Sequence, residues 1–374
     1  TNPLLNLGHN EGLRIDGGIL RVAHSNALGL GGFANVNVRG DLGAVMEIDG
    51  TAGSGNIANR HMILFHPTNS ATRGLLNRTS TEAVHTGILR NIAGNNIIAG
   101  QIDNRNIAGG GENGTTYIGS DSGRLTLNGQ IIGSVNAGGT AAQNNRFVYK
   151  TGAGTVQLAG AATNTITGGY FVMGGTLELN KTPGTGVNAI AAPIIVGDDN
   201  GGNNVDRLVI LASDQIVDAS LVTVRASGQL SVADGVSETA NIATLVAGST
   251  AQGSANISIG TGSTLRLNGN LTLNQIPGIS ASSGASITGA GTLELVTAAG
   301  ARTFTVNDGP ADSDLTISAA VANGVGIGGL TKAGAGRLSL SGANTYGGTT
   351  TVSAGVIRAS SNGALGTGTG VNET

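Results

Sequence analysis

The chain has 374 residues, of which 65 are Gly and none is Cys or Trp. An average chain of this length would hold about 26 Gly, and because Gly destabilises helices the composition excludes a helix-rich protein. No run of 18 apolar residues occurs, so no transmembrane segment is expected. The net charge of −3 gives no overall field for binding nucleic acid. These facts leave an all-β protein with frequent turns.

A five-residue pattern of Gly, any residue, aliphatic, polar, aliphatic recurs along the chain. Each copy predicts a turn Gly followed by a short strand with one apolar face. The copies begin, in chain order, at Gly18, Gly123, Gly154, Gly175, Gly228, Gly291, Gly336 and, more loosely, Gly355. The copies at Gly154 and Gly175 start 21 residues apart, and those at Gly336 and Gly355 start 19 apart. A period of about twenty residues is typical of one coil of a solenoid.

The alternation within these copies predicts which side chains face the core. The predicted core residues are Leu20, Val22, Leu125, Leu127, Val156, Leu158, Leu177, Leu179, Leu293, Leu295, Leu338 and Leu340. We also expect less than about 5% helix, because Gly-rich turns separate the strands so closely.

The sequence suggests three regions. Residues 1–55 are predicted to be β-helix coils, and 115–374 to be β-helix coils with a longer repeat in two copies, 150–179 and 332–359. Between them, 56–114 is interpreted as an irregular or inserted stretch, because the strand pattern blurs there. Its composition is rich in His and Arg: His61, His66, His85, Arg60, Arg73, Arg78 and Arg90. The His spacing fits no compact metal site, so these His are interpreted as surface or partly buried side chains. The Arg excess is a candidate patch for binding an anion or a partner.

Residues 329–359, GLTKAGAGRLSLSGANTYGGTTTVSAGVIRA, carry a recognisable motif. A Gly-Leu-Thr-Lys entry is followed by a Gly-x-Gly-x-Leu-x-Leu strand, a Ser-Gly-x-Asn-x-Tyr corner and Thr-x-Val-x-x-Gly. This order resembles the passenger-associated β-strand repeat of bacterial autotransporters. The copy at 150–179 is a looser match, without Tyr at its corner, and 13–29 matches the tail of the repeat.

This resemblance implies a right-handed parallel β-helix (a β-solenoid), exported by a bacterium and displayed at the cell surface or outside the cell. The repeat marks a scaffold and carries no catalytic motif. The first hypothesis is therefore a non-enzymatic structural or adhesive fibre. The alternatives are a surface that binds a glycan or a host or matrix component, and a polysaccharide-active β-helix enzyme.

The first acidic cluster contains Asp198, Asp199 and Asp206 in the segment GDDNGGNNVD. Oxygen ligands on a tight Gly-rich loop suit Ca²⁺, and GGNNVDRLV differs from a calcium-binding β-roll nonapeptide mainly at Asn204. The other interpretation is a solvated turn rich in Asp and Asn. Gly-Asp-Asp also resembles the paired carboxylates of pectin-cleaving hydrolases, but the partner motifs of those enzymes are missing.

The second acidic cluster contains Asp308, Asp312 and Asp314 in NDGPADSDL. Three carboxylates this close repel one another unless a cation or the solvent screens them. The interpretations are an exposed loop or a second Ca²⁺ site. No other cofactor is expected, because no nucleophile, phosphate-binding or metalloprotease motif occurs.

The two ends of the chain share a sequence. IDGGILRVAHSNALG at 15–29 aligns without a gap with VSAGVIRASSNGALG at 352–366. Neither segment is typical of the polar cap that closes a solenoid. We therefore expect head-to-tail self-association or continuation into further repeats, because both would cover the open strand edges.

Overall fold

The computed structural model describes residues 12–25, 27–28, 35–40, 43–51, 55–57, 61–65, 87–106, 115–135, 145–296 and 300–368. These residues form strands and turns and contain no α-helix. It follows that the described part of the chain has no helix with the length and hydropathy needed to cross a membrane. The chain folds as two compact units, Thr1–Ala192 and Pro193–Thr374.

The first unit contains sixteen short strands among its described residues. They are β1 (Leu13–Ile15), β2 (Ile19–Val22), β3 (Asn35–Arg39), β4 (Val45–Asp49), β5 (Gly55–Ile57), β6 (His61–Phe65), β7 (Leu89–Ala93), β8 (Asn95–Ile98), β9 (Ile102–Asn106), β10 (Thr115–Ser120), β11 (Arg124–Leu127), β12 (Ile131–Val135), β13 (Phe147–Thr151), β14 (Thr155–Gly160), β15 (Gly169–Val172) and β16 (Gly175–Lys181).

These strands stack into three parallel sheets. Sheet A has the order β1-β3-β6-β9-β12, sheet B the order β2-β4-β7-β10-β13-β15, and sheet C the order β5-β8-β11-β14-β16. From β3 to β14 the chain visits A, B and C in turn, so each of these circuits adds one strand to each sheet. After β12 the circuits shorten, and the third side is built without a strand.

The second unit contains seventeen strands among its described residues. They are β17 (Ile194–Val196), β18 (Asp206–Ile210), β19 (Leu221–Val224), β20 (Gly228–Val232), β21 (Ser237–Ala247), β22 (Asn256–Ile259), β23 (Thr264–Leu267), β24 (Leu271–Gln275), β25 (Ala285–Gly289), β26 (Thr292–Leu295), β27 (Gly300–Val306), β28 (Leu315–Ile317), β29 (Ala320–Asn323), β30 (Gly328–Ala333), β31 (Arg337–Leu340), β32 (Thr350–Val352) and β33 (Val356–Ala359).

Parallel pairing again gives three sheets. Within this unit, sheet D has the order β17-β19-β21-β24-β27-β30-β32, and sheet E the order β18-β20-β22-β25-β28-β31-β33. Sheet F is shorter, β21-β23-β26-β29, and the long strand β21 takes part in both D and F. The fold is therefore an all-β parallel β-helix, as the sequence predicts; its handedness stays a prediction.

The core is a stack of aliphatic side chains from successive coils. Leu125 pairs with Val156, and Val156 pairs with Leu177, each less than 4% exposed. Eleven of the twelve predicted core residues are buried. The prediction is wrong for Leu20, which is only half-buried in β2, although its register partner Met46 is completely buried. Among the strands that the structure describes, β2 lies at the edge of sheet B, and none of them covers Leu20 on that side.

Close approach between coils explains the Gly content at the corners. A Cβ atom on Gly160, with φ +82°, would lie 1.9 Å from the carbonyl oxygen of Asn128 in the preceding coil. A Cβ atom on Gly289, with φ +120°, would lie 2.0 Å from the carbonyl oxygen of Ile259. Only Gly permits both this contact and this backbone conformation.

Two of the sequence predictions can be compared with the strands of the structure. The described residues of 56–114 form ordinary coil strands, from β6 to β9. For the other residues of 56–114, an irregular stretch stays a prediction. The tail of the first repeat forms β15 and β16 in sheets B and C, whereas the matching segment 13–22 forms β1 and β2 in sheets A and B. Similar sequence thus occupies different sides of the coil, because either side accepts the same strand–turn–strand pattern.

Candidate functional site

The first acidic turn connects β17 to β18, and each of its three carboxylates is bound by groups of the protein. Asp199 forms an ion pair with Arg225 and accepts a hydrogen bond from the amide of Ala226 at 3.0 Å. Asp206 is 2% exposed and accepts a hydrogen bond from Ser227 Oγ at 2.5 Å. Asp198 closes its own turn by accepting from the amide of Asn200 at 3.0 Å.

Ser227 organises this turn from the neighbouring coil. Its Oγ accepts hydrogen bonds from the amides of Asp198 at 3.0 Å and Asp199 at 3.1 Å while donating to Asp206. Asp199 itself has φ 65°, a conformation that Asp tolerates better than most residues. The turn is therefore held by protein donors, and a Ca²⁺ ion would have to compete with them for Asp199 and Asp206.

The second acidic turn lies between β27 and β28. Asp312 is exposed and forms ion pairs with Arg337 at 2.5 Å and Arg358 at 3.6 Å, which belong to the two following coils. Asp314 is completely buried and accepts a hydrogen bond from the Arg337 amide at 2.8 Å. Burial raises the pKa of Asp314, although amide hydrogen bonds from Arg337 and Gly309 oppose this shift.

A pocket of about 390 Å³ lies beside this turn and is lined by all three acids together with Arg337 and Val356. Nevertheless, among the residues that the structure describes, no three Asp, Glu or His side chains are grouped so that they could hold a metal ion. Calcium binding at either turn stays a prediction, and both turns have an intramolecular role as links between coils.

The predicted His and Arg stretch is only partly described. His66, His85, Arg60, Arg73 and Arg78 lie outside the described residues, and His61 is described only as part of β6. Arg90 joins a ladder of charges across sheet B: it pairs with Glu47 at 2.9 Å, and Glu47 pairs with Arg21 at 2.7 Å. Asp121 also pairs with Arg90. These charges are matched within the protein.

Sequence reasoning missed two Asn residues that join coils where the third side has no strand. Asn164 Oδ1 accepts from the amide of Ile131 at 2.8 Å, and its Nδ2 donates to the carbonyl of Ala189 at 2.9 Å. Asn344 repeats this arrangement with Val321 at 2.8 Å below and Ala364 at 2.6 Å above. The signal available in the sequence was an Asn at the same position of both repeats.

Two buried Lys residues join coils at the opposite corner of the repeats. Lys332 Nζ donates to the carbonyls of Gly334 at 2.7 Å and Ala354 at 3.1 Å, the latter in the next coil. Lys150 Nζ donates to the carbonyls of Gly152 and Gly174 in the same way. Burial lowers the pKa of Lys332. The Lys of the repeat entry thus binds turn carbonyls rather than a ligand.

The structure also gathers aromatic residues that are far apart in sequence. Tyr117, Tyr149 and Phe171 are register partners on the outer side of sheet B. The rings of Tyr149 and Phe171 stack with centroids 4.4 Å apart and planes 6° apart, and Tyr117 follows with its centroid 5.0 Å from that of Tyr149. Because each ring lies against a neighbouring ring, the row stabilises the sheet.

Comparison with known proteins places these features in a class. Residues 148–179 and 330–359 match the family model of the Passenger-associated-transport-repeat, so the resemblance to autotransporter passengers is confirmed. The matched residues nearly coincide with the predicted copies at 150–179 and 332–359. They contain the Lys and Asn pairs described above.

A curated protein is similar over most of the chain. Adhesin BmaC autotransporter of Brucella suis biovar 1 (strain 1330) is 28% identical in an alignment of 323 residues that covers 83% of this chain. The chain spans only 8% of the length of that relative. No solved structure matches.

Proposed function

We propose that this chain is a non-enzymatic segment of a bacterial surface protein, displayed outside the cell as a structural and adhesive β-helix. The observation that carries the proposal is the pair of passenger repeats, one in each of the two units of parallel coils. The similarity to an autotransporter adhesin supports the same class. In this role the repeats supply a scaffold, and the side chains that point outward supply the contacts.

The buried polar groups support a structural role rather than catalysis. The carboxylates of the first acidic turn are bound by Arg225, Ser227 and backbone amides. Asp198 and Asp206 both approach Ser227 Oγ, at 3.4 Å and 2.5 Å, but Asp206 is 2% exposed and so closed to a substrate. Hydrolysis of a glycosidic bond needs two carboxyl groups that flank the substrate. The arrangement therefore favours a scaffold over a polysaccharide-active enzyme.

We further propose that the last described coil is covered by another coil, from a second copy or from more of the same polypeptide. Val352 occupies an inward position in β32, paired with the completely buried Lys332, yet it is 52% exposed. An apolar residue in an inward position is normally covered by the next coil of a solenoid.

Surface display can be tested directly in the bacterium that encodes the chain. Antibodies raised against residues 1–374 should label intact cells, and added protease should remove the label without lysing the cells. An in-frame deletion of the segment should reduce attachment of the cells to their surface or host layer. Labelling that appears only after lysis would contradict the proposal.

A further inference from the structure

The outer side of sheet D carries two rows of Thr in register. The first row runs over four neighbouring strands, where Thr223 pairs with Thr244, Thr244 with Thr272, and Thr272 with Thr305. All four are partly exposed. Since neighbouring strands lie about 4.8 Å apart, these side chains form a regular column of methyl and hydroxyl groups.

The second row begins on the strand where the first row ends. Thr303, two residues before Thr305 in β27, pairs with Thr331, and Thr331 pairs with Thr351. Alternate residues of a strand are about 6.7 Å apart on one side of a sheet. The two rows together form a continuous surface, which we call the threonine face.

The hydroxyl groups of the threonine face have no intramolecular role. None of the seven forms a hydrogen bond with another residue in the part of the chain that the structure describes. Hydroxyls on the outer side of sheet E differ, since Ser286 donates to Asn256 at 2.6 Å and Ser313 donates to Ser339 at 2.7 Å. Each free hydroxyl can donate one hydrogen bond and accept two.

The threonine face is also uncharged. The described strands of sheet D contain three charged residues. Arg302 occupies an inward position in register with Leu330, and Lys332 and Glu238 are completely buried. Arg225, which follows β19, is held by Asp199. An anionic or cationic polymer would therefore lose its hydration here without gaining an opposite charge.

We propose that the threonine face binds a neutral polysaccharide. Free hydroxyls in a regular array can exchange hydrogen bonds with sugar hydroxyls, and the Thr methyl groups can pack against the C–H groups of the sugar rings. Each contact is weak, but a repeating ligand on a repeating surface makes many of them at once. The proposal rests on the proposed surface function, because it gives the displayed scaffold a ligand class.

The test is affinity gel electrophoresis of the 374-residue chain in gels that contain hydroxyethylcellulose, mannan or alginate. The critical variant is Thr244→Val with Thr272→Val, which removes two neighbouring hydroxyls and keeps the β-branched shape that strands favour. The matched control is Thr288→Val with Thr316→Val on the outer side of sheet E. Thermal unfolding of all three proteins checks that the coils are intact.

We expect a neutral polysaccharide to retard the wild-type chain and the control variant equally, and the critical variant to bind at least tenfold more weakly. No retardation by either neutral polymer would overturn the proposal, as would equal binding by the critical variant. Stronger retardation by alginate, an anionic polymer, would also overturn it. Because antibody labelling of intact cells is independent of these gels, failure here leaves the proposed surface display standing.

Discussion

Several buried polar residues in this molecule hydrogen-bond to backbone groups of the neighbouring coil. Glu238, completely buried in β21, accepts hydrogen bonds from the amides of Gln215 at 2.8 Å and Ile216 at 3.0 Å. Those amides belong to a coil whose third side has no strand, so no parallel ladder satisfies them. An unpaired buried amide would cost about 1–3 kcal/mol, which explains why an ionisable residue occupies the core here.

The first prediction concerns the pH dependence caused by Glu238. Burial raises the pKa of Glu238, and the net value is about 8. The hydrogen bonds from the two amides oppose this shift, whereas the charges of Asp214 and Asp218 add to it. The folded state therefore binds more protons than the unfolded state between about pH 4.5 and 8, so the stability that this group confers is full at low pH and is lost as the pH rises through about 8. Glu238→Gln should remove a slope of about 1.4 kcal/mol per pH unit in the unfolding free energy.

The measurement is denaturant unfolding of both proteins between pH 5 and 7.5. Burial lowers the pKa of Lys181 to about 8, so Lys181 stays mostly charged over this range and adds little slope of its own. Asp218→Asn is the control, because Asp218 raises the pKa of Glu238 only at a distance. Parallel curves for the wild type and Glu238→Gln would show that the buried carboxyl is ionised throughout this range.

The second prediction concerns the aliphatic core. Leu338 is completely buried between Leu315 and Ile357 of the adjoining coils. Leu338→Ala should lower the unfolding free energy by about 2–5 kcal/mol, because it leaves a cavity that stacked coils cannot close. The control is Leu221→Ala, since Leu221 is 49% exposed. Equal effects in urea unfolding would contradict the inward assignment of Leu338.

At the scale of elements, the sequence predicts strands well and the third side of the coil poorly. The Gly-x-aliphatic-x-aliphatic pattern locates β11, β14, β16 and β31, because an alternating apolar side is decisive wherever a strand covers the core. The segment with Asn164 forms no strand, and its sequence has no such alternation. Its links to the coils on both sides include the Asn164 side chain, and a single residue gives no periodic signal.

The third prediction tests this substitution of a side chain for a strand. Asn164→Ala removes both hydrogen bonds and leaves the Ile131 amide and the Ala189 carbonyl buried without a partner. The expected cost is about 1–3 kcal/mol for each group, and the Ile131 amide should exchange with solvent much faster. Asn180→Ala is the control within the same repeat, because Asn180 is exposed in β16. Unchanged exchange at Ile131 would show that the coil is held in another way.

At the scale of the molecule, composition and spacing predict the class of fold, but they do not predict which residues contact one another in neighbouring coils. Tyr117 and Tyr149 are 32 residues apart and Tyr149 and Phe171 are 22 apart, yet they stack. Coil length varies because loops and strandless sides differ, so a residue's partner cannot be obtained by adding a constant. The same limit applies to the acidic turns, where the sequence shows the carboxylates but not Arg225, Ser227 and Arg358, which come from other coils.

The last prediction concerns association through the coil that carries β32 and β33. Val352 lies in an inward position but is 52% exposed, whereas Val356, 48% exposed, pairs with Arg337 and points outward from sheet E. Among the described strands, β32 and β33 end their sheets. An uncovered inward residue beside such edges should bind another coil, since this buries apolar area and satisfies the edge. Such a contact between unlike surfaces does not close on itself and gives linear arrays.

Sedimentation velocity over a hundredfold range of concentration should therefore show progressive association of the wild-type chain. Val352→Asp should weaken it at least tenfold, because a carboxylate would be buried at the contact without a partner. Val356→Asp, equally apolar and equally exposed but outward-facing, should associate like the wild type. A chain that stays monomeric throughout, or that loses association equally in both variants, would show that the inward position of Val352 does not drive contact between coils.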